Sequence, residues 1–253
     1  MRTAVIIPAR LGSQRLPGKP LLTLGQLPLV IHVYNQVSLC NGIDDICIAT
    51  DSSEIMEICA AHDAKAMMTR SDHPSGTDRV AEVAQKLNTD WVINVQGDEP
   101  FIDPQDVQTV IDQLQTGRTD LVTLRLPISN PQDLHNPNVV KVVSQEDGRA
   151  LYFSRAPIPY DRNNNDDYND CFRHIGIYGY RNSVLQELTQ LQVHPLEKRE
   201  KLEQLRALAH GKTIGVFDAI SESRGIDTPQ DLEWARQRVS QLGAAAFPSG
   251  KMK

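Results

Sequence analysis

From Thr3 to Leu126 the chain alternates short apolar runs with amphipathic stretches, and few folds accommodate that alternation. Thr3–Ile7, Asp45–Thr50, Lys65–Thr69, Trp91–Val95 and Asp120–Leu126 have the length and composition of strands. Between them, Pro28–Leu39, Ser53–His62, Thr77–Leu87 and Pro104–Gln115 carry apolar residues at helical spacing. Strands separated by helices pair in parallel through right-handed crossovers. An α/β fold follows, with a mainly parallel sheet and helices on both faces. Ligands of such sheets sit beyond the carboxyl ends of the strands. That edge receives the loop opening at Pro8, the Thr50-Asp51 strand end and Gln96-Gly97-Asp98.

The loop Pro8–Pro20 (PARLGSQRLPGKP) presents Arg10, Arg15 and Lys19 within ten residues, with Gly12 and Gly18 among them. Glycines let backbone N–H groups approach phosphate oxygens, and the cations neutralise their charge. The loop matches neither G-x-x-x-x-G-K-[ST], since Gly18-Lys19 precedes proline, nor G-x-G-x-x-G. Taken alone it also suits an ordinary basic surface loop.

The second half reads differently. Val139–Ser144 and Arg149–Ser154 form a hairpin pattern around Asp147-Gly148. Asp161–Asp170 is a polar surface loop with no assigned role. His174–Arg181 and Thr213–Phe217 read as strands, and Pro195–Ala209 as one helix. Thr228–Leu242 is a helix capped by Asp227 or Thr228, with a tail from Gly243 to Lys253.

A net charge of −6 argues against a general nucleic-acid binder and makes the N-terminal cations local. Cys40, Cys47, Cys59 and Cys171 lack C-x-x-C spacing and read as reduced core thiols. No signal peptide or membrane span is expected, which suggests a cytoplasmic protein.

Three segments carry candidate chemistry. Asp98, at the end of Asn94–Pro100, would share the sheet edge with the cationic loop; a carboxylate beside a polyphosphate suggests Mg2+, although Gly97–Pro100 is also a good turn. Asp227 offers a second carboxylate or a helix cap, and spacing gives it no partner. In Arg70–Arg79 (RSDHPSGTDR), Ser75, Gly76 and Thr77 present donors to a base or ribose, or simply cap the next helix. His73, just before Pro74, is read as structural.

Together with NPNVVKVV, ALYFSRAPIPYDR, FRHIGIYGYR, LEKREKLEQLR and GIDTPQDL, these motifs make the chain similar to the CMP-Kdo synthetases (3-deoxy-manno-octulosonate cytidylyltransferases) from about Ala4 to Ala235. The resemblance implies a Rossmann-like nucleotide-diphospho-sugar transferase fold with a smaller mixed α/β subregion for dimerisation and sugar binding. Residues 1–253 would form one nucleotidyltransferase domain: 1–126 for CTP, 127–243 for the sugar and dimer contacts, 244–253 a tail.

It also implies the reaction: CTP and 3-deoxy-manno-octulosonate (Kdo) give CMP-Kdo and pyrophosphate, for lipopolysaccharide biosynthesis. Pro8, Ala9, Arg10, Arg15, Lys19, Ser75, Gly76, Thr77 and Gln96 would bind CTP. Gln96, Arg155, His174, Tyr178, Glu203 and Gln204 would face the sugar acid. Asp98 and Asp227 would hold Mg2+, with Lys19 beside them in the catalytic group. A homodimer is expected, with the 139–154 hairpin as its surface. Other readings of the sugar-facing residues stay open: His174 and Tyr178 as half-buried core, Glu203 paired with Arg199 or Arg206, Arg155 as a loop anchor. An 8-amino analogue or a sialic acid remains an alternative substrate. A GT-A-like glycosyltransferase is a rival class that lacks its Asp-x-Asp motif here, and a nucleotide-binding protein without turnover is another.

Overall fold

The computed structural model describes residues 1–12, 15–162 and 168–242. The expected tail, Gly243–Lys253, and residues 163–167 of the polar loop lie outside the described residues. Seven strands form the main path of the sheet: β1 (Thr3–Ala9), β4 (Asp45–Thr50), β5 (Ala66–Met68), β6 (Trp91–Asn94), β7 (Leu121–Pro127), β10 (Phe172–Arg181) and β11 (Ile214–Asp218). Their order is β11-β7-β10-β6-β1-β4-β5. A hairpin of β8 (Lys141–Ser144) and β9 (Ala150–Ser154) joins at β10, and β2 (Thr23–Leu24) pairs separately with β3 (Leu27–Pro28).

Period-two alternation sorts β1 between two cores. Val5 and Ile7 pack on one face, where α1 (Leu29–Val37), α2 (Ser53–Ala61) and α4 (Pro104–Gln115) bury Val33, Ile55 and Val107. Ala4 and Ile6 pack on the other, with Val80 of α3 (Gly76–Leu87), Leu185 of α6 (Asn182–Gln190) and Leu205 of α8 (Gln204–Ala209). Each of the Val, Ile and Leu side chains removed from water contributes about 1.5–3 kcal/mol before entropy is counted.

β10 runs antiparallel to both β6 and β7. Because it is reversed, its first residues, rather than its last, overhang the ligand edge: Tyr178 pairs with Asn94 at the end of β6, and His174 lies further out.

One expectation needs correction. Pro195–Ala209 is two helices, α7 (Pro195–Glu200) and α8, because Lys201 is left-handed at φ 55°. Arg155 takes the carbonyls of Glu200 (2.6 Å) and Lys201 (3.3 Å), and the Glu200 carboxylate accepts from Ser154 Oγ and the Arg155 N–H. Carbonyls that would continue the helix are thus bound by a distant strand end. Two helices absent from the sequence reading also form, α5 (Pro131–His135) and α6; α9 (Pro229–Leu242) closes the described chain.

Candidate active site

Backbone contacts explain why two distant acidic residues meet. The Ile226 N–H donates to the Asp98 carbonyl at 2.9 Å, and Ser223 Oγ donates to Glu99 Oε2 at 2.7 Å. These bonds pin the segment before α9 to the turn after β6. Thr228, not Asp227, caps α9: its Oγ1 accepts from the Asp231 N–H, and Asp231 in turn accepts from the N–H groups of Asp227 and Thr228. The Asp227 carboxylate is therefore left to face the cavity.

Lys19 closes the arrangement. Its Nζ lies 2.5 Å from Asp98 Oδ2 and 3.0 Å from Asp227 Oδ1, while Arg15 Nη2 donates to Asp227 Oδ2 at 2.9 Å. Burial opposes the Lys19 charge, but the two carboxylates outweigh it and its pKa is raised. Burial pushes the neighbouring Glu99 up to about 7, against its bond from Ser223.

This cluster lies in a cavity of about 710 Å3 lined by Pro8, Ala9, Arg10, Arg15, Lys19, Ser75, Gly76, Gln96, Asp98 and Asp227. Gly97 is required here by close approach: a Cβ would stand 2.7 Å from the Pro8 carbonyl oxygen. Sequence reasoning missed Arg79 as a lining residue and gave His73 only a structural role; both face this cavity and both stand in the RSDHPSGTDR motif that was singled out. Arg79 is held by Thr69 and by Asp51 Oδ2 at 2.9 Å.

A second cavity, of about 260 Å3, shares Ser75, Gly76 and Gln96 with the first. It brings together Thr77, His174, Tyr178, Glu203 and Gln204. Thr77 lies here rather than on the larger cavity, and its Oγ1 donates to Glu203 Oε2 at 2.7 Å. Burial drives the His174 pKa down to about 3, so its ring is neutral. Thr123 Oγ1 donates to the Ile177 carbonyl at 2.7 Å, which leaves it to accept from His174 Nε2–H at 2.9 Å. Burial raises the pKa values of Tyr178 and Tyr180. Tyr180 and Asn94 are further lining residues, visible in the sequence only as strand positions.

Arg155 lines neither cavity. Its guanidinium binds the carbonyls of Pro137, Glu200 and Lys201, which anchors the loop and the α7 end.

Among the described residues no group of three or more His, Cys, Asp or Glu side chains converges as a metal cage. Asp98 and Asp227 nevertheless fit an ion that takes one or two carboxylates and completes its shell with phosphate oxygens and water, as Mg2+ does. The Lys19 ammonium contacts both carboxylates.

A sheet whose seven-strand main path is co-directional but for β10, a cationic loop at its ligand edge and two facing carboxylates define a nucleotide-binding α/β protein of the nucleotidyltransferase type. The sequence pattern of the family described as Cytidylyltransferase matches residues 4–214. The 3-deoxy-manno-octulosonate cytidylyltransferase of Nitrobacter winogradskyi is 42% identical over 98% of both chains. That of Syntrophobacter fumaroxidans is 45% identical over 92% of this chain and 95% of its own. A solved CMP:2-keto-3-deoxy-manno-octonic acid synthetase complexed with CTP superposes with a TM-score of 0.91 at 41% identity, over 96% of this chain and 100% of that one. A cytidylyltransferase structure from Leptospira borgpetersenii, at 17% identity and a TM-score of 0.65, shares the fold. The chain belongs to the 3-deoxy-manno-octulosonate cytidylyltransferase family and is an enzyme of the nucleotidyltransferase class.

Proposed function

We propose that this enzyme transfers the cytidylyl group of CTP to the anomeric hydroxyl of Kdo with Mg2+, giving CMP-Kdo and pyrophosphate for lipopolysaccharide biosynthesis. One observation carries the reading: the Asp98–Lys19–Asp227 cluster stands in a nucleotide-sized cavity that adjoins a smaller pocket lined by polar and charged groups.

Arg10, Arg15 and Lys19 receive the triphosphate and screen it from the second anion. The 1–126 half supplies the cavity walls at Pro8, Ala9, Ser75 and Gly76. The 127–243 half supplies His174, Tyr178, Glu203 and Gln204 to the sugar acid, with Gln96 at the shared wall. Glu203 orients sugar hydroxyls while Thr77 holds its carboxylate. Asp98 and Asp227 would hold the Mg2+, which when bound supplies charge neutralisation and a lowered hydroxyl pKa. No protein nucleophile is needed, because two substrates aligned in adjoining pockets gain most of the rate from positioning and electrostatics. Arg155 serves the sugar acid indirectly in this reading, by fixing the Lys201–Gln204 turn.

A homodimer through the 139–154 hairpin is part of the proposal, supported by the exposure of Leu151 (56%). So is a cytoplasmic location; among the described residues no helix is long and apolar enough to cross a membrane. The test is pyrophosphate release from CTP with Kdo, its 8-amino analogue and a sialic acid. Release with Kdo at least tenfold faster than with the others is expected. Release only with another acid refutes the substrate, and no release with any acid refutes the reaction.

A further inference from the structure

Two groups of residues line the larger cavity. Arg15, Lys19, Asp98 and Asp227 are joined by ion pairs, which suits phosphates; His73, Ser75, Gly76 and Arg79 come from one segment at the start of α3, which leaves that end for the base. A base carries its identity in donors and acceptors on its edge, so the free hydrogen-bonding atoms at this end decide which base is accepted. Ser75 Oγ is already engaged: it accepts from the Asp78 N–H at 3.3 Å and donates to Asp78 Oδ2 at 2.7 Å. Arg79 can only donate, and its two terminal nitrogens hold Thr69 and Asp51.

His73 differs. Its side chain is 6% exposed and its Nε2 lies 2.5 Å from Glu82 Oε2. Glu82 also accepts from the Arg70 N–H and from Lys86 Nζ. Burial alone would raise its pKa, but those bonds bring it down to about 2, so Glu82 is an ionised acceptor and nothing else. The proton between them must then sit on Nε2. Nδ1 makes no hydrogen bond among the described residues, and in an imidazole whose Nε2 carries the proton it is an acceptor.

We propose that His73 is a specificity-determining residue, whose Nδ1 accepts a hydrogen bond from the 4-amino group of cytosine and faces the 4-oxo group of uracil lone pair to lone pair. The inference rests on the placement of CTP in this cavity. Glu82 is its positioning partner, because it fixes the tautomer.

The decisive comparison uses CTP, UTP and pyrimidin-2-one riboside triphosphate, which is CTP without the 4-amino group. Wild type is expected to favour CTP over the analogue by about 10–100-fold in kcat/KM, the range for one well-placed hydrogen bond in a partly buried site. His73→Phe should bring that ratio to within about threefold of unity, with the loss carried mainly by KM for CTP. His73→Asn, which returns an acceptor oxygen close to the Nδ1 position, should recover part of the preference. A thermal melt on each variant separates misfolding from loss of recognition. A wild-type ratio retained in His73→Phe overturns the assignment, as does a wild type that uses CTP and the analogue equally. A wild type that binds no CTP overturns the cavity placement itself.

Discussion

Replacing Lys19 with methionine keeps the aliphatic stem and removes the charge between Asp98 and Asp227. That ammonium, 13% exposed, lies 2.5 Å and 3.0 Å from the two carboxylates. A divalent ion seeking the same carboxylates must displace it or sit beside it. At about 4 Å, a single positive charge repels a divalent one by about 2 kcal/mol even at the dielectric of water, and by more where solvent is excluded. The cavity is open and the Asp227 side chain is 46% exposed, so the lower figure applies. It corresponds to roughly 30-fold in affinity. Lys19→Met is therefore expected to bind Mn2+ about 10–100-fold more tightly than wild type without nucleotide, as read by calorimetry or by electron paramagnetic resonance of free Mn2+. The same variant should require more CTP, because a phosphate partner is gone. Unchanged or weaker Mn2+ binding in a folded Lys19→Met protein would refute the reasoning that the ammonium and the metal compete for one acidic pair.

Three further outcomes are expected. Asp98→Asn should lower turnover by about three orders of magnitude or more, with a melting temperature close to wild type, since the lost carboxylate serves alignment rather than packing; near-normal turnover removes Asp98 from the mechanism. Gly97→Ala should cost about 1–3 kcal/mol in denaturant unfolding and weaken CTP binding, because its Cβ would meet the Pro8 carbonyl at 2.7 Å and backbone cannot swing aside; an unperturbed variant contradicts the close approach. Glu82 is held near pKa 2 from an ordinary 4.5, so its contribution to stability is complete above about pH 4.5 and lost as the pH falls through 2. Glu82→Gln should accordingly flatten the acid limb of the stability profile between those values, and an identical limb in both proteins would show that the carboxylate carries no such linkage.

Much of this was legible in the sequence for physical reasons. Period-two runs and capped amphipathic stretches report local preferences, so β1, β4, β6 and the helices between them could be read directly. The cationic loop could be read because charge density needs no tertiary knowledge. Asp227 was different: its nearness to Asp98 rests on long-range contacts such as the backbone hydrogen bond from Ile226 to Asp98, spanning 128 residues, and no local pattern encodes them. The resemblance supplied that partner. The break at Lys201 was hidden for the same reason, since Arg155, 46 residues earlier, takes the carbonyls involved. His73 is visible in the sequence as a loop residue before Pro74, but its bond to Glu82, nine residues onward, is not, because that contact forms only once α3 folds back beside the loop.

The proposed reaction requires two carboxylates from remote segments to grip one ion beside CTP. Crystals grown with CTP, a Kdo analogue and Mn2+ test this through the anomalous signal. The expected map has a metal peak in direct contact with one oxygen of Asp98 and one of Asp227, with Lys19 moved onto a phosphate. A metal bound to the triphosphate alone, with Lys19 still bridging the two aspartates, would contradict it.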